Sequence, residues 1–518
     1  MGCTSLLRKK VHKEKSGTKY FIKNDRSKRE NILEKIEIHF SCINDYQDLS
    51  NLKINLSYSL YPNLNYQTLG ETEELKTESK NFETTFFLDY RFEINQYLRI
   101  SLIQNNNLIE TLTTTVGYIV GCRKNTLDLK VGKLDGNFAL RVNIRKVSRD
   151  DNVPRLYFLA SITNIHNLSG DYYIQVLNNH TKPPRWKKVF KTNEGSGQQF
   201  RLDIDQVVYE DVCLSNTNRP FKVQLRKFGA GIIGECEVSF KSLMQQAVLN
   251  IGTFQLDLRY ETRPRLSFFN YLERGLQISL ITGIDFTESN EVYTHPKSLH
   301  FIYGENPNQY EQALRQCAGV ISCYDPEQKF PVYGFGGRLN EMQDTSHFFN
   351  VNFSNNPDVY GLTGVINCYK SSLSRVTLSG PTLLAPVIKG VVKRIKEKFI
   401  LDVKKTNVYS VLLILLSGLI LDMNETKQAI FKAAKYPLSI IIVGVGDSDY
   451  LDKMEELNLD RLKSLKNKKG KNITRDVAQF VKFEKFKNYP DKFTQEILSK
   501  IPIQIEEYFD INHNFIQN

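Results

Sequence analysis

A chain of 518 residues, 41% hydrophobic and 24% charged, is several domain lengths long and carries apolar material for two or three separate cores. No apolar run approaches the roughly 18 residues of a helical membrane span, and the eight cysteines, at 3, 42, 122, 213, 236, 317, 323 and 368, form no zinc or redox pair. Membrane-spanning, disulfide-framework and zinc-ribbon classes therefore drop out, and reduced thiols in a cytosolic setting are expected.

The formal net charge of +12 is concentrated at one end, where residues 1–30 hold ten Lys or Arg against three acids. The apolar stretch of this arm is too short for a secretory segment and its charges follow it, so secretion is not expected. Removal of Met1 would leave Gly2 for a myristoyl chain, and Cys3 could accept a palmitoyl chain beside Arg8, Lys9 and Lys10. Two chains, or one with a basic patch, meet the two-signal requirement for stable anchoring at an anionic leaflet. Leu6 stands where the myristoylation pattern has Ser or Thr, with Ser5 one place early. A solvated tail is the competing reading of the same charges.

Residues 31–136 and 137–265 read as short alternating strands with turn residues between them, which predicts two β-sandwiches. Ile36–Cys42, Leu56–Leu60, Phe82–Leu88 and Leu98–Leu102 mark the first, and Arg155–Ser161, Tyr172–Val176, Phe200–Ile204 and Pro220–Leu225 the second. Trp186, flanked by Arg185, Lys187 and Lys188, is either a packed turn residue or an aromatic available to a membrane.

From residue 266 to about 510, continuous apolar strands (Ile278–Ile281, Leu412–Leu416, Leu438–Val443) alternate with helical stretches. This predicts a parallel sheet covered on both faces, with ligands at the carboxyl ends of its strands. Asp285-x-Thr287-x-Ser289 leaves one such strand. A carboxylate and two hydroxyls at alternating positions are half of an oxygen-only site for a hard cation. Residues 511–518 are a tail.

Phe330–Gly337, Ser379–Pro386, Val411–Met423 and Ser439–Asp447 follow in order, and Ser267–Ile278 precedes. Together with Asp285-x-Thr287-x-Ser289, these segments resemble the copine family over about residues 30 to 510, most specifically from 265 on. The resemblance implies two C2 domains followed by a doubly wound, Rossmann-like von Willebrand factor A domain. It also implies a metal site formed by the Asp285, Thr287 and Ser289 loop, by Thr382 on a second loop, and by an aspartate on a third. At that third position copines have Thr-Asp-Gly and this chain has Leu416-Ser417-Gly418. Ser417 thus replaces a carboxylate, which leaves one negative charge where two are expected. Mg²⁺ or Mn²⁺ is then either weakly held and completed by a partner's acid, or lost. Asp422 matches a different family aspartate and is not counted as a ligand.

Calcium binding by the C2 domains would need carboxylates converging from two loops. The first domain keeps Asp45 and Asp48, but its other loop reads Ile103-Gln-Asn-Asn-Asn107. The second keeps Asp171, with Asn164 and Asn167 at acid positions, and its other loop runs from Arg226 and Lys227 to Glu235 without a carboxylate between. Ca²⁺ is therefore not expected, and Arg226 and Lys227 are candidate phosphate contacts.

Catalysis has no support in the sequence. Gly334-Phe-Gly336-Gly337 and Gly444-Val-Gly446 lack the phosphate-loop continuation, and His300 and His347 join no nucleophile motif, so both read as packed or surface residues. The basic segment 462–471 reads as a solvated loop. Nucleic acid is not expected, because the basic arm interleaves only Tyr20 and Phe21. The expected function is a non-enzymatic adaptor at the cytoplasmic face of an anionic phospholipid membrane, with the A domain recruiting proteins. The alternative is a scaffold within a protein assembly such as a cytoskeleton, without lipid contact.

Overall fold

Period-two alternation does what the sequence pattern predicts in the first sandwich. Ile36, Ile38, Phe40 and Cys42 all point to one buried face of strand β1 (Glu34–Ile43). The computed structural model describes residues 34–43, 49–62, 64–76, 79–133, 138–147, 155–163, 172–179, 185–191, 200–208, 218–246, 248–251, 254–263, 266–339, 343–401, 407–458, 473 and 475–512. Residues 153–264 form one unit, and residues 33–152 with 265–518 form another.

The first sandwich continues with β2 (Leu52–Leu60), β3 (Gln67–Glu71), β4 (Phe86–Tyr90), β5 (Gln96–Gln104), β6 (Asn107–Thr115), helix α1 (Val116–Gly121), β7 (Thr126–Lys130) and β8 (Ala139–Lys146). Its antiparallel sheets have the orders β4-β1-β8-β7 and β3-β2-β5-β6. Strand β8 pairs with β1 from Ile36↔Lys146 to Ile43↔Ala139. The first sandwich therefore runs past the boundary expected at 136. An alternating strand alone does not say which sheet it joins.

The second sandwich comprises β9 (Arg155–Thr163), β10 (Tyr172–Asn178), β11 (Lys187–Lys191), β12 (Phe200–Val208), β13 (Phe221–Lys227), β14 (Gly231–Val238), α2 (Phe240–Gln245), β15 (Val248–Ile251) and β16 (Phe254–Arg263). Its two sheets are β11-β10-β13-β14 and β12-β9-β16-β15. Tyr172, Ile174, Val176, Phe221, Val223 and Leu225 face inward.

In the C-terminal domain, α3 (Phe268–Glu273) leads into β17 (Gln277–Asp285), followed by α4 (Gln309–Ile321), β18 (Lys329–Phe335), β19 (Gly337–Leu339), β20 (Phe349–Asn350), β21 (Asp358–Tyr360), α5 (Gly361–Ser372), β22 (Val376–Leu378), α6 (Ala385–Leu401), β23 (Val408–Leu416), α7 (Met423–Ala433), β24 (Leu438–Gly444), β25 (Ala478–Lys482), α8 (Pro490–Leu498) and α9 (Ile501–Asn512). The main sheet has the order β20-β18-β17-β23-β24-β25, parallel from β18 to β25, with β20 antiparallel at the edge. Both faces are covered. Leu412, Ile414 and Leu416 pack with α6 and α7, whereas Tyr409, Val411, Leu413 and Leu415 pack with α4, α8 and α9. The chain leaves β17 for β18 on one side and later returns to β23 on the other. The crevice between the carboxyl ends of β17 and β23 is therefore the switch point, where such sheets bind ligands.

Candidate functional site

Asp285 ends β17 and Ser417 follows β23, so the switch point joins two residues that are 132 positions apart. The Asp285 carboxylate is fully buried. Its Oδ1 accepts from the Thr287 amide at 2.9 Å, and its Oδ2 accepts from the Ser417 amide at 3.0 Å and the Ser417 hydroxyl at 3.4 Å. Burial pushes its pKa up, and these hydrogen bonds offset part of that rise.

From Asp285 a chain of hydroxyls runs across the crevice. Ser417 Oγ lies 2.8 Å from Ser289 Oγ, and Ser289 Oγ lies 2.9 Å from Thr287 Oγ1. Thr382 Oγ1 donates to Thr287 Oγ1 at 3.3 Å. All five residues implied by the resemblance are thus brought together: Asp285, Thr287, Ser289, Thr382 and Ser417. Gly336 makes the close fit possible. Its φ is +76°, and a Cβ there would stand 2.2 Å from Thr287 Cγ2.

These oxygens suit a hard cation in kind and fall short in charge, since only Asp285 is anionic. Among the described residues no group of three or more His, Cys, Asp or Glu is placed to hold a metal. Asp422 does not supply the missing carboxylate. Its oxygens accept from the Leu384 and Ala385 amides at 2.9 and 2.8 Å and from Thr426 Oγ1 at 3.1 Å, capping the start of α6.

Behind the loop stands a support that sequence reasoning missed. His300 is fully buried, its Nε2 2.9 Å from the Asp285 carbonyl and its Nδ1 2.9 Å from the Tyr369 hydroxyl. The carbonyl can only accept, so Nε2 carries the proton and Nδ1 accepts from Tyr369. Burial pulls its pKa down to about 4, keeping the ring neutral. Asn290 donates to the Thr287 carbonyl at 3.1 Å and accepts from the Tyr310 hydroxyl at 2.8 Å. His300 is a packed residue, as expected, and it packs directly against the Asp285 loop. No local motif marks it, because its partners lie at 285 and 369.

In the first sandwich Asp45 and Asp48 lie outside the described residues. The neighbouring loop is a two-residue turn at Asn105 and Asn106, both with positive φ, and Asn51 Nδ2 donates to Asn105 Oδ1 at 3.0 Å. Asn tolerates that left-handed backbone, so the amides serve the turn. In the second sandwich Asp171 also lies outside the described residues, as do Gly2, Cys3, Arg8, Lys9, Lys10 and the 462–471 segment.

Trp186 is partly buried beneath Lys222, whose Nζ is 4.8 Å from the ring centroid. Arg226 and Lys227 sit at the other end of β13, beside the turn into β14. The cations expected to contact phosphate are thus separate from Trp186. At the turn beside them Phe228 is 65% exposed, between Lys227 and the positive-φ residues Gly229 and Gly231. The sequence carried that signal, an aromatic between cations and glycines, and its importance was missed.

A family model described as Copine matches residues 298–516. The C-terminal domain belongs to the copine family. The match starts beyond the Asp285 loop and takes in Thr382 and Ser417. Among solved structures, the chain is similar to extended synaptotagmin 2 in a structure holding its SMP domain and two C2 domains, at 14% identity over 45% of this chain and 58% of that one, with a TM-score of 0.17. It is similar to manganese-loaded TRAP protein of Plasmodium vivax, at 9% identity over 40% and 70%, with a TM-score of 0.25. It is also similar to proximal thread matrix protein 1 from the mussel byssus with a zinc-occupied MIDAS motif, at 14% identity over 45% and 46%, with a TM-score of 0.23. The chain spans little more than half the length of the first of these.

Proposed function

We propose that this chain is a non-enzymatic peripheral adaptor that binds anionic phospholipid without calcium and recruits a protein through the metal-loop face of its copine domain. The observation that carries the membrane half is the turn between β13 and β14. Phe228 is exposed at its tip with Arg226 and Lys227 beside it, and no acid lies between Leu225 and Glu235. A cationic tip repels Ca²⁺ and attracts phosphate, while the ring has apolar area to bury among acyl chains. Among the described residues no helix is long and apolar enough to cross a membrane. The hydroxyl-lined crevice supports the protein half, because a partner's carboxylate would supply the charge that Ser417 lacks.

The test is sedimentation of the unacylated full-length protein with phosphatidylserine vesicles, in calcium and in chelator. Equal pelleting in both is expected, reduced about tenfold or more in Phe228→Asp, since burying a Phe side chain contributes about 1.5–3 kcal/mol. Pelleting only in calcium would overturn the calcium-independent reading. No pelleting at all would favour a protein scaffold without lipid contact.

A further inference from the structure

The first sandwich and the copine domain share one buried seam. The Tyr90 hydroxyl meets the Tyr324 hydroxyl at 2.8 Å. Phe92 packs on Phe268 and Tyr324 at 5.1 and 4.9 Å between centroids, and Tyr90 on Phe269 at 5.6 Å. Tyr90, Phe92, Phe268, Phe269 and Tyr324 are each 5% exposed or less. Helix α1 comes in at backbone distance, since a Cβ on Gly121 would stand 2.1 Å from the Cys323 carbonyl oxygen and one on Gly117 2.9 Å from the Tyr324 hydroxyl. At the margin Lys146 Nζ donates to Ser267 Oγ at 2.9 Å and to Glu34 at 3.1 Å. The apolar core runs unbroken from β1 through this seam into the face of the main sheet that carries α4 and α9.

The position of the seam in each domain decides what it does. In the sandwich, Tyr90 lies opposite Glu34 at the start of β1, and α1 follows the end of β6. That is the end away from residues 49–51 and the 105–106 turn. In the copine domain, α3 precedes β17 and Ser322–Tyr324 precedes β18, so the seam occupies the amino ends of the parallel strands. Asp285, Thr287 and Ser417 lie at the carboxyl ends.

The geometry points to a rigid two-pole body: the first sandwich is fixed to the base of the copine domain, with its calcium-type loop end and the metal-loop face held at opposite extremes. Whatever the sandwich loops touch is thereby kept away from whatever the crevice binds, at a separation set by strands of about 30 Å each. This does not depend on lipid or metal binding.

The test uses full-length protein with donor and acceptor dyes on bio-orthogonal side chains at Leu108 and Leu421, which are 62% and 68% exposed near the two poles. A single narrow distance distribution is expected, and Gly121→Ile should broaden or shift it. If Gly121→Ile does not fold, Phe92→Ala, which removes one seam ring, should do the same. A broad distribution in the unaltered protein, or one unchanged by disruption of the seam, would overturn the inference.

Discussion

Ser417 lies 2.8 Å from Ser289 and 3.4 Å from the buried Asp285 carboxylate, so the charge placed at this position decides what the crevice can hold. Ser417→Asp would set a second carboxylate against a group whose ionisation burial already disfavours. In chelator the variant should melt at a lower temperature than the unaltered protein. Magnesium should reverse the loss, because a ligand present at about 100 times its Kd stabilises by about 2.7 kcal/mol. Thermal melts with and without Mg²⁺ would check this, and an equal magnesium response in both proteins would refute the charge-deficit argument. Behind the loop, His300→Ala leaves the Asp285 carbonyl without this donor and removes an acceptor from the Tyr369 hydroxyl, both in a buried space. Asn290 Nδ2 still reaches the Asp285 carbonyl at 3.4 Å, so the cost is about 1–3 kcal/mol for the Tyr369 hydroxyl plus a buried cavity, and urea unfolding should show a loss of about 3 kcal/mol.

At the scale of elements, one buried cation ties the far half of the sheet to the last helix. Arg475 donates to the Ala434 and Leu438 carbonyls at 2.9 Å, to the Tyr436 carbonyl, to Tyr409 Oη at 2.9 Å and to the Gln504 carbonyl at 3.2 Å. Arg475→Ala should therefore release α9 before the rest of the sheet, seen as faster amide hydrogen exchange in Ile501–Asn512 with β17 still protected. Unchanged exchange there would deny Arg475 this role. Elements such as β17, β23 and β24 were legible because a strand buried on both faces is dominated by apolar residues: Val411–Leu416 is wholly apolar, and Ile278–Ile284 and Leu438–Val443 are broken only by Ser279, Thr282, Gly283 and Ser439. The assembly of Asp285, Thr287, Ser289, Thr382 and Ser417 was legible through the family resemblance. The capping role of Asp422 and the support from His300 were not, since each is defined by partners brought near only by the fold. Strand β8 alternates as a strand of either sandwich would, so its sheet could not be assigned from its pattern.

At the scale of the molecule, three domains are expected from sequence and two units are formed. A seam between Tyr90 or Phe92 and Tyr324 joins residues more than 230 positions apart, and no periodicity encodes it. Its consequence is thermodynamic. Two domains that bury aromatic rings in each other cannot expose that surface separately without losing about 25 cal/mol for each Å² uncovered. Calorimetry of the full-length protein should therefore show two unfolding transitions, one for residues 153–264 and one in which the first sandwich and the copine domain melt together. Gly121→Ile should split the second transition and leave the first in place. If the unaltered protein melts in three separate steps, the sandwich and the copine domain are independent cores, and the seam contributes contact without cooperativity.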